Sequence, residues 1–260
     1  METIEVTRAG GGIVTVTLNR PEKKNAINDL MWGELLAALR EIAVSDDRVV
    51  IITGAGGAFC SGADLSGGGV DGGARSPHQL AMMRRVGDVA LTLHRLPQPT
   101  IAKVGGVAAG AGANMAFGCD LIVASDEARF TEIFARRGLT IDFGGSWLLP
   151  RLVGMHRAKE LALFADIISA KEAAEMGLVN RVVPAGELDA FVADWAKRLA
   201  AGPPIALGMT KRLLSNTFSM TMDEALEAEG MAQSVNSGTE DTAEAIGAFL
   251  EKREPKFKGR

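Results

Sequence analysis

Residues 99–125 read PTIAKVGGVAAGAGANMAFGCDLIVAS, and the fold class turns on this stretch. TIAKV is a short apolar run of the kind that forms a strand buried on both faces. Glycine and alanine dominate 105–113, a helix follows, and DLIVAS is a second buried strand. The same alternation extends towards the N-terminus. RVVIITG (48–54) is another fully apolar strand, closed by the small-residue turn GAGGAFCSGADL (54–65). IVTVTL (13–18) alternates Val14, Val16 and Leu18 with threonines, as a strand with one buried face does. Between these strands, Met31, Leu35, Leu39 and Ile42 keep helical spacing behind Asn28, a good N-cap. A further helix is expected over about 78–95. Strands alternating with helices over two thirds of the chain predict an α/β core.

Past Leu178 the pattern turns helical; capping-box spacings stand just before it at Ser169/Glu172 and within it at Thr221/Glu224. Helices are expected at about 187–200, 204–216, 222–235 and 240–252, and AGPPIAL (201–207) reads as a joint. The division this predicts is a core over 1–200 that carries the site and a helical region over 201–260. The apolar surface of those late helices predicts an oligomer.

Composition narrows the function. The chain has 260 residues, enough for a substantial core, and is 47% hydrophobic and 23% charged. Its net charge of −4 comes with dispersed lysines and arginines, so no basic face for nucleic acid is expected. No window has the length and apolarity of a membrane span, and METIEVTRAGGG lacks the features of a secretory signal. Cys60 and Cys119, with His78, His94 and His156 far apart, give neither a disulfide framework nor a metal-ligand spacing. The expectation is a reduced, cytoplasmic protein. The segment SGGGVDGGARSP (66–77) reads as a mobile excursion by its glycine content.

The two small-residue turns admit three readings. They can simply let helices approach a sheet closely. The second can be a dinucleotide turn, with Gly110, Gly112 and an Asp126 at the end of the next strand, but Met115 stands where a third glycine belongs. Taken together, the turns can aim two backbone N–H groups at one oxygen, with a helix N-terminus behind one of them. Such an oxyanion hole suits a thioester whose carbonyl becomes an enolate.

GGAFCSGADL and KVGGVAAGAGANMAFGCDLIVAS together resemble the paired signature of the enoyl-CoA hydratase/isomerase (crotonase) family. The resemblance includes RPEKKNAIN, GLTIDFGGSWLLPRLVG, SAKEAAEMGLVNRVV and the C-terminal AFLEKREPKF. It implies a crotonase-like fold, with repeated ββα units in a spiral core and a C-terminal helical region that forms trimers or hexamers. It also implies an acyl-CoA substrate, with coenzyme A arriving as part of that substrate and no separate cofactor. The oxyanion donors would be the N–H groups of Ala63 and Ala111. Lys24, Ala26, Ala63, Asp64 and Leu65 resemble the CoA-groove segments, and Gly110 belongs to the hole's turn. Phe249 and Lys252 resemble a CoA contact often made from a neighbouring subunit. The alternative for Lys24 and Lys252 is an ordinary solvated lysine.

Two positions depart from the hydratase pattern. Where hydratases of this family carry two glutamates, this chain has Asn114 and Phe134. Neither an amide nor a phenyl ring exchanges protons with water. Glu132 lies two residues from the second position and is expected to point elsewhere. By contrast, Asp142 in GLTIDFGGSW (138–147) resembles the aspartate of the isomerase branch, especially the epoxyphenylacetyl-CoA and Δ3,Δ2-enoyl-CoA isomerases. Ile141, Phe143 and Phe134 would desolvate it and raise its pKa. A helix-capping role for Asp142 stays open, because two glycines and Ser146 follow it. The expected activity is a double-bond shift through an enolate, with Asp142 as proton shuttle and Asn114 of little catalytic consequence. The alternatives are water addition to a 2-enoyl-CoA and a silent acyl-CoA-binding protein.

Overall fold

A computed structural model of the chain describes residues 1–67 and 78–260. The glycine-rich segment 66–77 therefore falls almost wholly outside the described residues.

The main sheet has six strands. β1 (Ile4–Arg8) and β2 (Ile13–Leu18) form an antiparallel hairpin, and β2 pairs in parallel with β3 (Val49–Gly54). The parallel run continues through β4 (Thr100–Val104) and β6 (Leu121–Ser125) to β9 (Arg181–Val183), giving the order β1-β2-β3-β4-β6-β9. A second sheet of three short strands stands beside it. β5 (Val107–Ala109) pairs in parallel with β7 (Arg129–Thr131), which pairs antiparallel with β8 (Ile168–Ser169).

The period of two along β3 divides the core. Val50 and Ile52 face a large apolar cluster with Met31, Leu35, Leu39 and Ile42 of α1 (Asp29–Ala43) and Val89 and Leu93 of α2 (Gln79–His94). Val49 and Ile51 face the other way, onto Leu188, Val192, Ala196 and Ala200 of α6 (Leu188–Ala200). Both faces of the parallel sheet are thus covered, as its uninterrupted apolar strands require. Between them, α3 (Ala111–Phe117), α4 (Gly145–Phe164) and α5 (Ala170–Glu175) complete the core.

The last helices are α7 (Pro204–Asn216), α8 (Met222–Ser237) and α9 (Glu240–Glu251), which pack on one another. They carry Leu214, Met222, Leu226, Met231, Ile246, Phe249 and Leu250, all exposed, and Phe218 is exposed in the turn between α7 and α8. Among the described residues no helix is long and apolar enough to cross a membrane.

Candidate active site

The two small-residue turns meet. Cys60 bridges Ala108 through main-chain bonds, and a Cβ on Gly112 would collide with Cys60. The close approach needs glycine there. Ala63 makes a parallel bridge to Ile27, in which Ile27 N donates to Gly62 O at 2.8 Å and Asp64 N to Ile27 O at 2.9 Å. In that pattern the bonds belong to residues 62 and 64, so Ala63's own N–H points to the opposite side. On the second turn, Gly110 takes φ +54 and ψ −125, and Ala111 opens α3. Its N–H is one of the donors that a helix start leaves unpaired. Among the described residues neither the Ala63 nor the Ala111 N–H makes a hydrogen bond. Ala111 is not among the residues with positive φ, so alanine is unstrained at this position.

The loop before α1 abuts this site. Lys24 and Asn25 both adopt left-handed backbone, with φ +50 and +58. Asn25 is fully buried and holds the turn: Oδ1 accepts from Arg20 N, and Nδ2 donates to Ala55 O and Ala58 O at 2.8 and 2.9 Å. Lys24 is exposed and Ala26 buried beside Ala63's partner Ile27. Asp64 is engaged otherwise. It accepts from the Ser66 hydroxyl and N–H and pairs with Arg20 at 2.9 Å, which together hold its carboxyl down to about 2. Asp64 therefore braces the turn that presents Ala63. Leu65 is exposed at the start of a short 3₁₀ turn.

Asp142 sits on a strained loop. Phe143 follows it with φ +50, a region costly for a bulky residue, and Gly144 with φ +80 caps α4. Phe143 is held there by stacking on Trp32, ring centroids 5.7 Å apart. The helix start uses no side-chain cap; Gly145 N donates instead to the main-chain oxygen of Asp142 at 2.9 Å. The capping role is thereby excluded. The Asp142 carboxyl has no hydrogen-bond partner among the described residues, Oδ1 is buried, and burial pushes its pKa up to about 6.

Glu132 does not point elsewhere. It is 2% exposed, and its Oε2 accepts from Asn114 Nδ2 at 3.2 Å. The same amide nitrogen donates to the main-chain oxygen of Asp142 at 3.0 Å, so Asn114 joins the two acidic segments. A Cβ on Gly145 would collide with that amide, which accounts for the second glycine of the Asp142 loop. Burial, with the Asp142 charge adding to it, pushes Glu132 up to about 8. Phe134, 7% exposed, lies against Gly110. Of the five buried side-chain polar atoms without a partner among the described residues, three are here: Asn114 Oδ1, Glu132 Oε1 and Asp142 Oδ1.

Residues 8–260 match the family model described as Enoyl-CoA hydratase/isomerase. The chain belongs to this family. A 1,2-epoxyphenylacetyl-CoA isomerase of Escherichia coli is 38% identical over 251 residues, 96% of each chain. A probable enoyl-CoA hydratase of Rhodobacter capsulatus is 41% identical over 250 residues, 96% of this chain and 95% of that one. Among solved structures, an enoyl-CoA hydratase from Bacillus anthracis superposes with a TM-score of 0.93 at 34% identity, each chain fully covered. The crotonase fold follows, and the protein is an acyl-CoA enzyme of the enoyl-CoA hydratase/isomerase family.

The chain does not bring every expected residue to the site. Phe249 and Lys252 stand exposed at the end of α9, with no hydrogen bond or ion pair to the turns or the Asp142 loop among the described residues. A cavity of about 1600 Å³ lies between α2, the start of α4 and α7, and reaches the Asp142 loop at Phe143 and Gly144. Trp147 and His94, 5.2 Å apart edge to face, stand on its wall.

Proposed function

We propose that the protein is an enoyl-CoA isomerase that shifts a double bond in a CoA thioester, opening the reaction with Asp142. One observation carries this reading: a carboxyl that caps nothing and is poised near neutral pH, on the loop that Asn114 ties to the helix opened by Ala111. The raised pKa matches it to a weakly acidic carbon. The Ala63 and Ala111 N–H groups hold the enolate oxygen, and losing either would raise the barrier by about 2.7–4 kcal/mol.

Lys24, Ala26 and Leu65 border the CoA moiety on one side, with Asp64 fixing their turn. Gly110, Asn114 and Phe134 border the acyl carbons. Phe249 and Lys252 reach the CoA of a neighbouring subunit in a homotrimer or a hexamer of two trimers. The exposed apolar side chains of α7–α9 support that assembly. Light scattering at micromolar concentration should give a trimer or its double; a monomer would remove the shared site. Two buried, unpaired cysteines fit a reducing, cytoplasmic setting.

A panel assay tests the activity. Offered 3-enoyl-CoA and 2-enoyl-CoA esters, the enzyme should move the double bond of the former. Water uptake by 2-enoyl-CoA without migration would make it a hydratase. CoA esters bound without either change would make it a silent binding protein.

A further inference from the structure

The cluster of Glu132, Asn114 and Asp142 holds one more acid than the reaction above uses. Its hydrogen bonds fix where a proton can reside. The main-chain oxygen of Asp142 only accepts, so the Asn114 atom 3.0 Å from it is the nitrogen. The other N–H of that amide donates to Glu132 Oε2 at 3.2 Å. Oε2 is therefore the accepting oxygen, and a proton on Glu132 resides on Oε1. Oε1 is buried, and like Asp142 Oδ1 it has no partner among the described residues.

The backbone puts this acid beside the oxyanion hole. Glu132 follows Thr131, whose carbonyl accepts from Gly110 N at 2.9 Å. Asn114 stands three residues after Ala111 on α3, on the same helix face. The carboxyl is thus held one hydrogen bond from the helix whose first N–H faces the enolate.

We propose that Glu132 is a second proton carrier, the acid that completes the double-bond shift begun by Asp142. The proposal rests on the isomerase reading. Asp142 takes a proton from C2 of a 3-enoyl thioester, and the C–H electrons flow into a dienolate whose negative oxygen meets Ala63 and Ala111. The dienolate then takes the Oε1 proton at C4, the thioester carbonyl re-forms, and the double bond lies at C2. Glu132 ends as carboxylate and Asp142 as acid, and solvent exchange returns both. Single-handed return of the proton by Asp142 is replaced by this division. The environments set the two groups apart as the step requires: at neutral pH Glu132 is held as the acid and Asp142 largely as the base. Among the described residues Asp142 is the one charged group acting on Glu132.

Solvent isotope transfer tests it on the intact enzyme. Wild-type protein turning over a 3-enoyl-CoA ester in D2O should place solvent deuterium at C4 in each product molecule at low conversion. Glu132→Gln should isomerise roughly 10²-fold more slowly. It should also lose the alkaline limb of kcat/KM that the proposal predicts for wild type near pH 8. A wild-type product free of solvent deuterium, or a Glu132→Gln enzyme matching wild type in rate and pH profile, would overturn the proposal. If the wild type isomerises no 3-enoyl-CoA ester, the isomerase reading falls, and infrared difference spectra of wild type against Glu132→Gln decide the remainder. A carboxylic-acid carbonyl band that shifts when butyryl-CoA binds keeps Glu132 in the site as an acid; an unmoved or missing band removes it.

Discussion

Two aspartates border this site in loops, and the fold treats them oppositely. Asp64 is saturated: a guanidinium, a hydroxyl and a main-chain N–H meet its oxygens. Asp142 meets none among the described residues and lies on a loop held in left-handed backbone by a stacked ring. The first carboxyl titrates near 2 and the second near 6. A saturated carboxylate cannot give up or take a proton usefully at neutral pH, but it can fix a turn. A starved one is a poor brace and a usable base. The turn that presents a backbone donor and the loop that carries a base are thus built from the same residue type in contrasting surroundings.

The contrast breaks most directly at Asp142. Asp142→Asn keeps the side chain's shape and removes its basicity, so isomerase turnover should fall by roughly 10²–10⁴-fold while CoA-ester binding persists. Turnover equal to wild type would assign the base to another group, with Glu132 first in line. Next in size is the backbone half of the site. Ala111 is the first residue of α3, where proline is tolerated. Ala111→Pro therefore deletes one N–H with the helix intact, and kcat should drop by about 10²–10³-fold with little change in thermal midpoint. An unchanged kcat would remove Ala111 from the oxyanion hole.

Asn114 links the loops, and the structure adds a consequence for stability to the expectation from sequence. An amide has no proton to exchange, so truncating it is expected to affect catalysis little. But Asn114→Ala leaves the Asp142 carbonyl and Glu132 Oε2 without their shared donor, in a site where Asn114 is fully buried. A loss of about 1–3 kcal/mol in stability is expected, seen as a lowered thermal midpoint, together with a displaced pH profile. A melting curve and profile matching wild type would show that the two acidic segments hold their places unaided.

Legibility in the sequence follows the range of the interaction. The capping boxes at Ser169/Glu172 and Thr221/Glu224 and the Asn28 cap on Met31 form as their spacings predict, because both partners lie within one helical turn. The apolar strands of the main sheet are legible for a similar reason: burial on both faces leaves an uninterrupted apolar run. The second sheet is not, since β5 and β7 have three residues each and β8 two, too few to show a period. Asn25 is missed because its partners are carbonyls about 30 residues away. Glu132 is misread for a local reason. Its backbone, with φ −86 and ψ 63, turns just before the 3₁₀ segment Ile133–Arg137, so the side chain two residues from the expected position is the one bonded to Asn114. A glutamate amid the apolar RFTEIF was the available signal, since such a carboxyl is either exposed or kept for chemistry.

The smallest effect gives the sharpest form of the contrast, because it reverses sign between the two aspartates. Asp64 titrates near 2 when folded, against a usual 3.8, so its contribution to stability is present above about pH 4 and fades as pH falls towards 2. Asp142 titrates near 6, so its burial is tolerated below pH 3.8 and becomes destabilising as pH rises through 6. At pH 7, Asp64→Asn should therefore lower the thermal midpoint and Asp142→Asn should raise it. A change of 1 kcal/mol corresponds to roughly 2–4 °C in a chain of this size. Between pH 7 and pH 4 the Asp142→Asn gain should shrink towards zero while the Asp64→Asn loss holds. Thermal melts of both variants and wild type at these two pH values read the difference directly. If Asp142→Asn destabilises at pH 7 as Asp64→Asn does, the Asp142 carboxylate has a bracing partner in solution, and the division between a saturated and a starved aspartate fails.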